Sequence, residues 1–321
     1  MGRNTDRAFE LLGIALHAPL FAPEALAQIR EAAEARVRKD LGNPNQVAMG
    51  AFFAHGFPGH PYGRSVDGDL VTLAAIDHAD IVAHHRRTIT RGNLRVAVVG
   101  AIGADALGDA LDRAFLDLPV AESAPPPLTR MAGLGERIVT RLDAPQSTIY
   151  FGRPGIMRHD PDFAAAAVAN HCLGGSQVTS RLFRELRELR GLCYAVWTGL
   201  YVPDAACGIV GSTSTPNAKV PEALDVIAAE IARLARDGVD AEELATAKGY
   251  LVGSHSLRFD SSSSIANHLL TLQLEGRARS WLDARNAAIA AVTREDVARA
   301  VHRLVGDGSL LVTIAGDPPA A

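Results

Sequence analysis

The stretch AAIDHADIVAHHRRTITRGNLRVAVVG at residues 74–100 indicates the architecture of the chain, because it recurs without a gap as AAVTREDVARAVHRLVGDGSLLVTIAG at 290–316. The offset between the two copies is 216 residues (290 − 74). Each copy predicts an amphipathic helix after a polar cap, Asp77 or Thr293, then a turn that contains glycine, then an apolar strand. The chain therefore contains an internal duplication.

The duplication extends towards the N-terminus when the alignment is shifted by two more residues. APEALAQIR at 22–30 then matches DAEELATAK at 240–248, and NQVA at 45–48 matches SSIA at 263–266. Two helices and a strand are thus expected to occur in the same order in both copies.

The stretch VAESAPPPLTRMAGLG at 120–135 separates the copies and has the proline and glycine content of an interdomain linker. We therefore predict an incomplete first domain at 1–119, this linker, and a second domain at 136–321. Subtracting the offset from the start of the second copy (136 − 216 = −80) predicts that about eighty residues of a full first copy are missing before residue 1.

The second copy predicts strands with helices packed on them. An alternating strand is expected at 137–156, a helix at 161–173, a charged helix at 181–191, and strands at 193–202 and 207–215. This order favours an α+β unit with a mainly antiparallel sheet. No glycine-rich phosphate-binding motif follows a strand, so nucleotide binding has no support.

Composition excludes several classes of function. The net charge of −4 over 321 residues gives no clustered positive charge for a nucleic acid. No window holds about eighteen consecutive apolar residues, so no membrane partner is expected. The three cysteines form no C-x-x-C pair, and we expect buried thiols rather than disulfides or a thiolate metal site.

Together these patterns resemble the insulinase/pitrilysin-type zinc metallopeptidases (inverzincins), most of all their mitochondrial-processing-peptidase-like bacterial branch. The motifs that carry the resemblance are HAPLFAPEAL (17–26), GNP (42–44), GHPYGRSVDGD (59–69), NLRVAVVG (93–100), SRLFRELRELRGLCYAV (180–196) and LVTIAGD (311–317). The resemblance implies two tandem homologous α/β sandwich domains of the metallohydrolase-like type. In that family the domains enclose a chamber that holds a peptide as an extended strand.

Active members of the family carry H-x-x-E-H, which provides two zinc ligands and the Glu that activates water. This sequence contains no such motif. The resemblance maps the family's third ligand, a Glu, to Arg36, and a second family Glu to Ile29; an arginine cannot bind zinc. Glu24 and Glu31 keep the spacing but require a shift of five residues, so we expect them to be solvated acids. We predict no metal in this chain and zinc only in a catalytic partner.

The resemblance also assigns two substrate-binding residues, Arg187 and Tyr194, in RELRGLCY at 187–194. In the family this Arg/Tyr pair reaches across the chamber to the substrate. A guanidinium and a phenol suit that role because both can donate hydrogen bonds to a peptide carbonyl or to an oxyanion. The pattern alone leaves a second interpretation open, in which Arg187 is one of several exposed helix charges and Tyr194 lies in the core.

Other polar residues are interpreted as structural. We expect the segment 59–63 (GHPYG) to form a turn and the serine run 261–264 to form a loop rather than a nucleophile elbow. The histidines that could suggest a metal site are expected to be unrelated surface or turn residues; they are His55, His60, His84 and His85.

The leading hypothesis is a non-catalytic subunit that is inactive alone. It would bind peptide substrate and complete the active site of a zinc-bearing homologous subunit in a heterodimer. Two alternatives stay open: a fragment of an active zinc endopeptidase whose H-x-x-E-H segment is absent, and a structural scaffold subunit. An incomplete first domain predicts an exposed sheet edge and an isolated chain that is poorly stable or associates with itself. The bacterial branch favours a periplasmic over a cytoplasmic location.

Overall fold

The computed structural model describes residues 4–122 and 124–319. The helices of this part of the chain are α1 (Thr5–His17), α2 (Pro23–Leu41), α3 (Pro44–Gly56), α4 (Leu70–Ala75), α5 (His78–Thr88), α6 (Ala104–Phe115), α7 (Phe163–Asn170), α8 (Val220–Asp237), α9 (Ala241–Gly253), α10 (Ser262–Leu274), α11 (Trp281–Ala291) and α12 (Arg294–Val305). The strands are β1 (Arg137–Arg141), β2 (Gln146–Pro154), β3 (Val196–Tyr201), β4 (Gly208–Pro216) and β5 (Leu311–Gly316). None of the described helices is long and apolar enough to cross a membrane.

The five strands form one sheet in the order β1-β5-β2-β4-β3. The β1–β5 pair is parallel and the other three pairs are antiparallel. This confirms the predicted α+β class with a mainly antiparallel sheet. The single strand predicted at 137–156 was wrong, because the chain leaves β1 on one side of β5 and must cross to pair as β2 on the other side.

One face of the sheet packs against α7, α8 and α12. Alternate residues of β2 point to this face, so that Ile149 and Phe151 join Ile227 of α8 and Leu304 of α12 in one buried cluster. The period of two along the strand and of 3.6 along the helices brings these side chains together. This cluster is the main hydrophobic core.

The opposite face of the sheet is covered by α3. Phe52 of α3 is fully buried and packs against Tyr150 of β2. Thr313 of β5 donates a hydrogen bond from Oγ1 to the carbonyl of Ala48, at 2.7 Å. A Cβ at Gly152 would come within 2.8 Å of the Phe52 ring, so a side chain there would push α3 away. A helix from the first sequence copy therefore completes the core of the second copy.

The chain forms two compact units that interleave along the sequence. The first contains the described residues up to Val37, with 67–125 and 257–279; the second contains 38–66 and the remaining described residues from 126 onwards. Helix α3 thus belongs to the second unit, whereas α10 belongs to the first. The boundaries that we drew from the duplication stay a prediction about the repeat, because the units group residues by contact rather than by similarity.

The helices agree in detail with the duplication. Helix α5 maps onto α12 with the offset of 216, and both begin at a capping box, at Asp77 with Asp80 and at Thr293 with Asp296. Helix α3 maps onto α10 with an offset of 218, at both ends. Helices at equivalent places in the two copies therefore lie in different units.

The strand predicted at 93–100 is not formed. Residues 93–100 have no strand partner among the described residues. The carbonyl of Val96 instead accepts a hydrogen bond from Gln273 of α10, at 2.9 Å. Its equivalent, β5, lies between two strands, and a single strand without a neighbour cannot form a ladder. The largest fully buried side chains of the described chain all lie in the second unit, so the first unit is helical with a thin core.

Candidate peptide-binding site

Arg187 lies on a wide helical turn that ends close to the start of β3. Residues Phe183–Leu189 form a π-type turn, which Leu186 anchors in the core with no exposed surface. Gly191 then takes a left-handed backbone conformation (φ 62°), which favours glycine. The amide of Leu192 donates to the carbonyl of Leu186 at 2.7 Å and turns the chain towards Tyr194. The helix predicted at 181–191 is therefore present, but most of it is wound as a π-type turn.

The turn brings Arg187 and Tyr194 into contact. The guanidinium carbon of Arg187 lies 5.3 Å from the centre of the Tyr194 ring, a cation–π distance. Tyr194 is 85% exposed, which excludes the interpretation of this residue as part of the core. Within residues 4–122 and 124–319, no acceptor lies within hydrogen-bond distance of the Arg187 guanidinium. The donors of both side chains are therefore available to a ligand, and their role in binding peptide stays a prediction.

Cys193, between the two, is buried, and burial raises the pKa of its thiol. It serves as an apolar anchor that fixes the backbone under the exposed Tyr194. A third aromatic side chain, Trp197 on β3, is 39% exposed and was not identified from the sequence. Its exposure could have been inferred from the alternation of side chains along β3, because Val196 and Thr198 on either side of Trp197 are buried.

A polar cleft of about 580 Å³ lies among helical residues of the second unit. Arg181 in this cleft donates from Nε and Nη2 to the Glu243 carboxylate, at 2.6 Å each, and from Nη2 to the carbonyl of Gly238. Burial, with the nearby Glu243 carboxylate, raises the pKa of the Cys172 thiol to about 12. Burial lowers the pKa of His171. Because Arg181 pairs with the Glu243 carboxylate through two nitrogens, we interpret this cleft as the place of a structural ion pair, although Nη1 of Arg181 has no hydrogen-bond partner among the described residues.

The position that the resemblance assigns to a zinc ligand does not fit a metal. Arg36 lies on α2 and pairs with Asp67 at 3.4 Å, and both side chains are exposed. Ile29 is 68% exposed, and Glu24 and Glu31 face solvent on the same helix. Among the described residues, no group of three His, Cys, Asp or Glu side chains could hold a metal ion.

His55 and His60 belong to the second unit, whereas His84 and His85 belong to the first. His60 is buried, accepts the Tyr62 amide at Nδ1, and therefore carries its proton on Nε2, which donates to the carbonyl of Pro127 at 2.9 Å. The predicted turn at 59–63 is present as a 3₁₀ turn. The predicted loop at 261–264 was wrong: Ser261 caps α10 by accepting the amide of Ser264, and the serines after it form the first helical turn.

Comparison of the sequence with known protein families identifies the family of this chain. A family profile described as the peptidase M16 inactive domain matches residues 75–251, more than half of the chain. The chain belongs to the M16 peptidase family. In this M16 chain the matched region begins just before α5 and ends within α9, and it includes Arg187 and Tyr194.

Relatives of the M16 chain carry different descriptions. An uncharacterized zinc protease of Streptomyces coelicolor is 31% identical over 263 residues, which cover 78% of this chain and 56% of that protein. A non-peptidase homolog of Helicobacter pylori is 23% identical over 263 residues, with 82% and 61% covered. The M16 chain thus spans less than two thirds of the length of these relatives.

The fold is also shared with solved structures. The peptidase M16 inactive domain from Pseudomonas fluorescens superimposes with a TM-score of 0.89 at 25% sequence identity. The match covers 98% of the M16 chain and 75% of the solved one. The architecture described above is therefore that of an M16 peptidase domain.

Proposed function

We propose that this M16 chain is a non-catalytic subunit that binds an extended peptide and presents it to the active site of a zinc-bearing M16 partner. The observation that carries the proposal is the contact between Arg187 and Tyr194 on an exposed surface. Two polar groups that are not used by the fold are held together at one place. An exposed arginine and an exposed tyrosine are suited to contact a ligand from outside the chain.

The chemistry of the pair fits a peptide in a partner's active site. The guanidinium has five N–H donors in a planar fork, and the phenol has one O–H donor. Stacking on the Tyr194 ring limits the positions that Arg187 can take, at a gain of about 0.5–1 kcal/mol for an exposed pair. Both groups can then donate to a peptide carbonyl, or to the oxyanion that forms during cleavage.

The α2 helix supports the non-catalytic role. A permanent cation, Arg36, stands where the resemblance places a carboxylate ligand, and its partner is Asp67 rather than a metal ligand set. A relative from Helicobacter pylori is described as a non-peptidase homolog, which agrees with this assignment. Peptide hydrolysis would then depend on the metal of the partner subunit, and this chain would contribute binding and orientation.

The experiment mixes the purified chain with a zinc-bearing M16 peptidase encoded in the same genome, and follows cleavage of a fluorogenic peptide library. We expect no cleavage by the chain alone and faster cleavage by the mixture. Arg187→Ala and Tyr194→Phe should each reduce the stimulated rate by about a hundredfold, the usual effect of removing one oxyanion donor. Arg184→Ala is the matched control, because Arg184 is an exposed arginine on the same turn.

The two alternatives predict different results. A fragment of an active endopeptidase would bind zinc in stoichiometric amount and cleave peptide alone in a chelator-sensitive manner. A scaffold subunit would form a stable complex in which Arg187→Ala and Tyr194→Phe leave the rate unchanged. Zinc analysis of the isolated chain and gel filtration of the mixture therefore complete the test.

A further inference from the structure

We infer that Trp197 forms an apolar subsite beside the Arg187–Tyr194 pair and selects peptides that carry a large apolar side chain. The inference rests on the proposed function and deepens it, because it adds a class of substrate to the same surface. Its occupant is an extended peptide in which a residue such as Phe or Leu lies about three positions from the part that contacts Tyr194.

The Trp197 ring is held in a fixed place. Trp197 pairs with Ser212 in the β3–β4 ladder, on the opposite face from the buried Val196. Its ring and that of Tyr150 form a T-shaped contact, with centroids 6.3 Å apart. The ring also folds over Gly199, where an added Cβ would lie 3.4 Å from the indole. The glycine thus provides the space in which the ring lies along the strand.

These contacts leave part of the indole open. With 39% of its surface exposed, Trp197 keeps an apolar area in contact with water although its position is fixed by two neighbours. A rigid, partly exposed aromatic ring loses little conformational entropy on binding. Trp, Tyr and Arg are the residue types that most often dominate the binding energy of an interface. The segment 187–197 exposes residues of all three types, including Arg187, Tyr194 and Trp197.

The spacing suits a short stretch of extended peptide. Tyr194 and Trp197 are three residues apart, so their Cα atoms are separated by at most about 11 Å. An extended peptide covers the same distance in about three residues. A short extended peptide is therefore long enough to span the backbone distance between Tyr194 and Trp197.

Binding by side chains is favoured over addition of a strand to the sheet. The free edge of β3 is closed in its middle, where the carbonyl of Thr198 accepts a hydrogen bond from Nδ2 of Asn170, at 3.3 Å. A Cβ at Gly174 would come within 3.1 Å of the Thr198 amide, so the backbone of the neighbouring turn covers this edge. A peptide at this surface must therefore gain its selectivity from pockets and rings rather than from a β-ladder.

The test uses the fluorescence of Trp197. The chain has two tryptophans, so Trp281→Phe leaves Trp197 as the single emitter. The probes are short synthetic peptides of serine and alanine in which a single Phe is moved along the sequence, and an otherwise equal peptide without Phe. We expect a blue shift of emission with the Phe peptides and binding that is about tenfold or more tighter than without Phe. Trp197→Ala should remove this preference, and circular dichroism verifies that the variant is folded.

The fluorescence titration can overturn the proposed Trp197 subsite in several ways. Equal affinity for peptides with and without Phe, or no binding of any peptide, overturns the inference. A blue shift that depends on protein concentration without peptide also overturns it, because a second copy of the chain would then cover Trp197. The proposed function is tested separately by the stimulated cleavage rate. Stimulation without a preference for Phe rejects only the subsite, whereas a preference for Phe without stimulation rejects only the complementing role.

Discussion

Replacing Phe52 by alanine tests the packing of α3 on the sheet of the second unit. Phe52 comes from the first sequence copy, has no exposed surface, and contacts Tyr150 at a ring-centroid distance of 6.1 Å. Removing a fully buried phenylalanine typically costs about 3–5 kcal/mol, because transfer energy is lost and a cavity remains. A domain has about 5–15 kcal/mol of stability in total, so this loss would be a large fraction.

Urea unfolding provides the assay. Trp197 contacts Tyr150, so its fluorescence reports on the sheet beneath α3. We expect Phe52→Ala to lower the transition midpoint strongly and Ile29→Ala, at a 68% exposed position, to change stability by less than about 0.5 kcal/mol. If Phe52→Ala costs less than about 1 kcal/mol, α3 does not belong to the core of the second unit, and the interleaved division of the chain is wrong.

Three other residues of the second unit provide further tests. Hydrogen bonds from Arg299 and Arg303 hold the pKa of Asp162 below its usual range. In the unfolded chain this carboxyl takes up its proton near about pH 4, whereas in the folded chain it does so only at lower pH. The stabilisation is therefore complete above about pH 5 and is lost as the pH falls towards the folded pKa. Asp162→Asn should therefore lower the melting temperature at neutral pH and make its decrease in acid shallower. Gly191→Ala, at a left-handed position, should cost about 1–2 kcal/mol in urea unfolding. The Cys172 thiol, with its pKa raised to about 12, should not react with a disulfide reagent at mildly alkaline pH until urea is added, and rapid native labelling would contradict its burial.

The helices α5 and α12 of the duplicated stretch could be predicted from the sequence because their signals are local. A polar cap, an apolar period of 3.6 and a following glycine lie within one stretch of chain, and the second copy repeats them. The capping boxes at Asp77 and Thr293 are found where the pattern placed them. Local signals did not reveal the π-type winding of Phe183–Leu189, which depends on how Leu186 fits into the core.

The strand at 93–100 was predicted incorrectly because pairing is not a local property. Its sequence is as apolar as that of β5, yet β5 has β1 and β2 as neighbours and the earlier segment has none among the described residues. Likewise, nothing in the pattern of 44–56 indicates that α3 covers the sheet of the other copy. Long-range contacts of this kind become visible only in the fold.

The candidate site was predicted in part. The resemblance named Arg187 and Tyr194, and the fold adds that they touch each other and that Tyr194 is exposed. The sequence alone could not separate an exposed Tyr194 from a buried one, because the bend after Gly191 breaks the alternation that leads into β3. Trp197 was missed for a related reason: its exposure depends on the size of Gly199 and on the place of Tyr150.

The most direct measurement is the rate of peptide cleavage by a zinc-bearing M16 subunit from the same genome, with and without this chain at saturating concentration. We expect that the native chain and Arg184→Ala raise the rate equally, and that Arg187→Ala raises it about a hundredfold less. Equal stimulation by Arg187→Ala, or cleavage by this chain alone that a chelator abolishes, would contradict the assignment of a non-catalytic peptide-binding subunit.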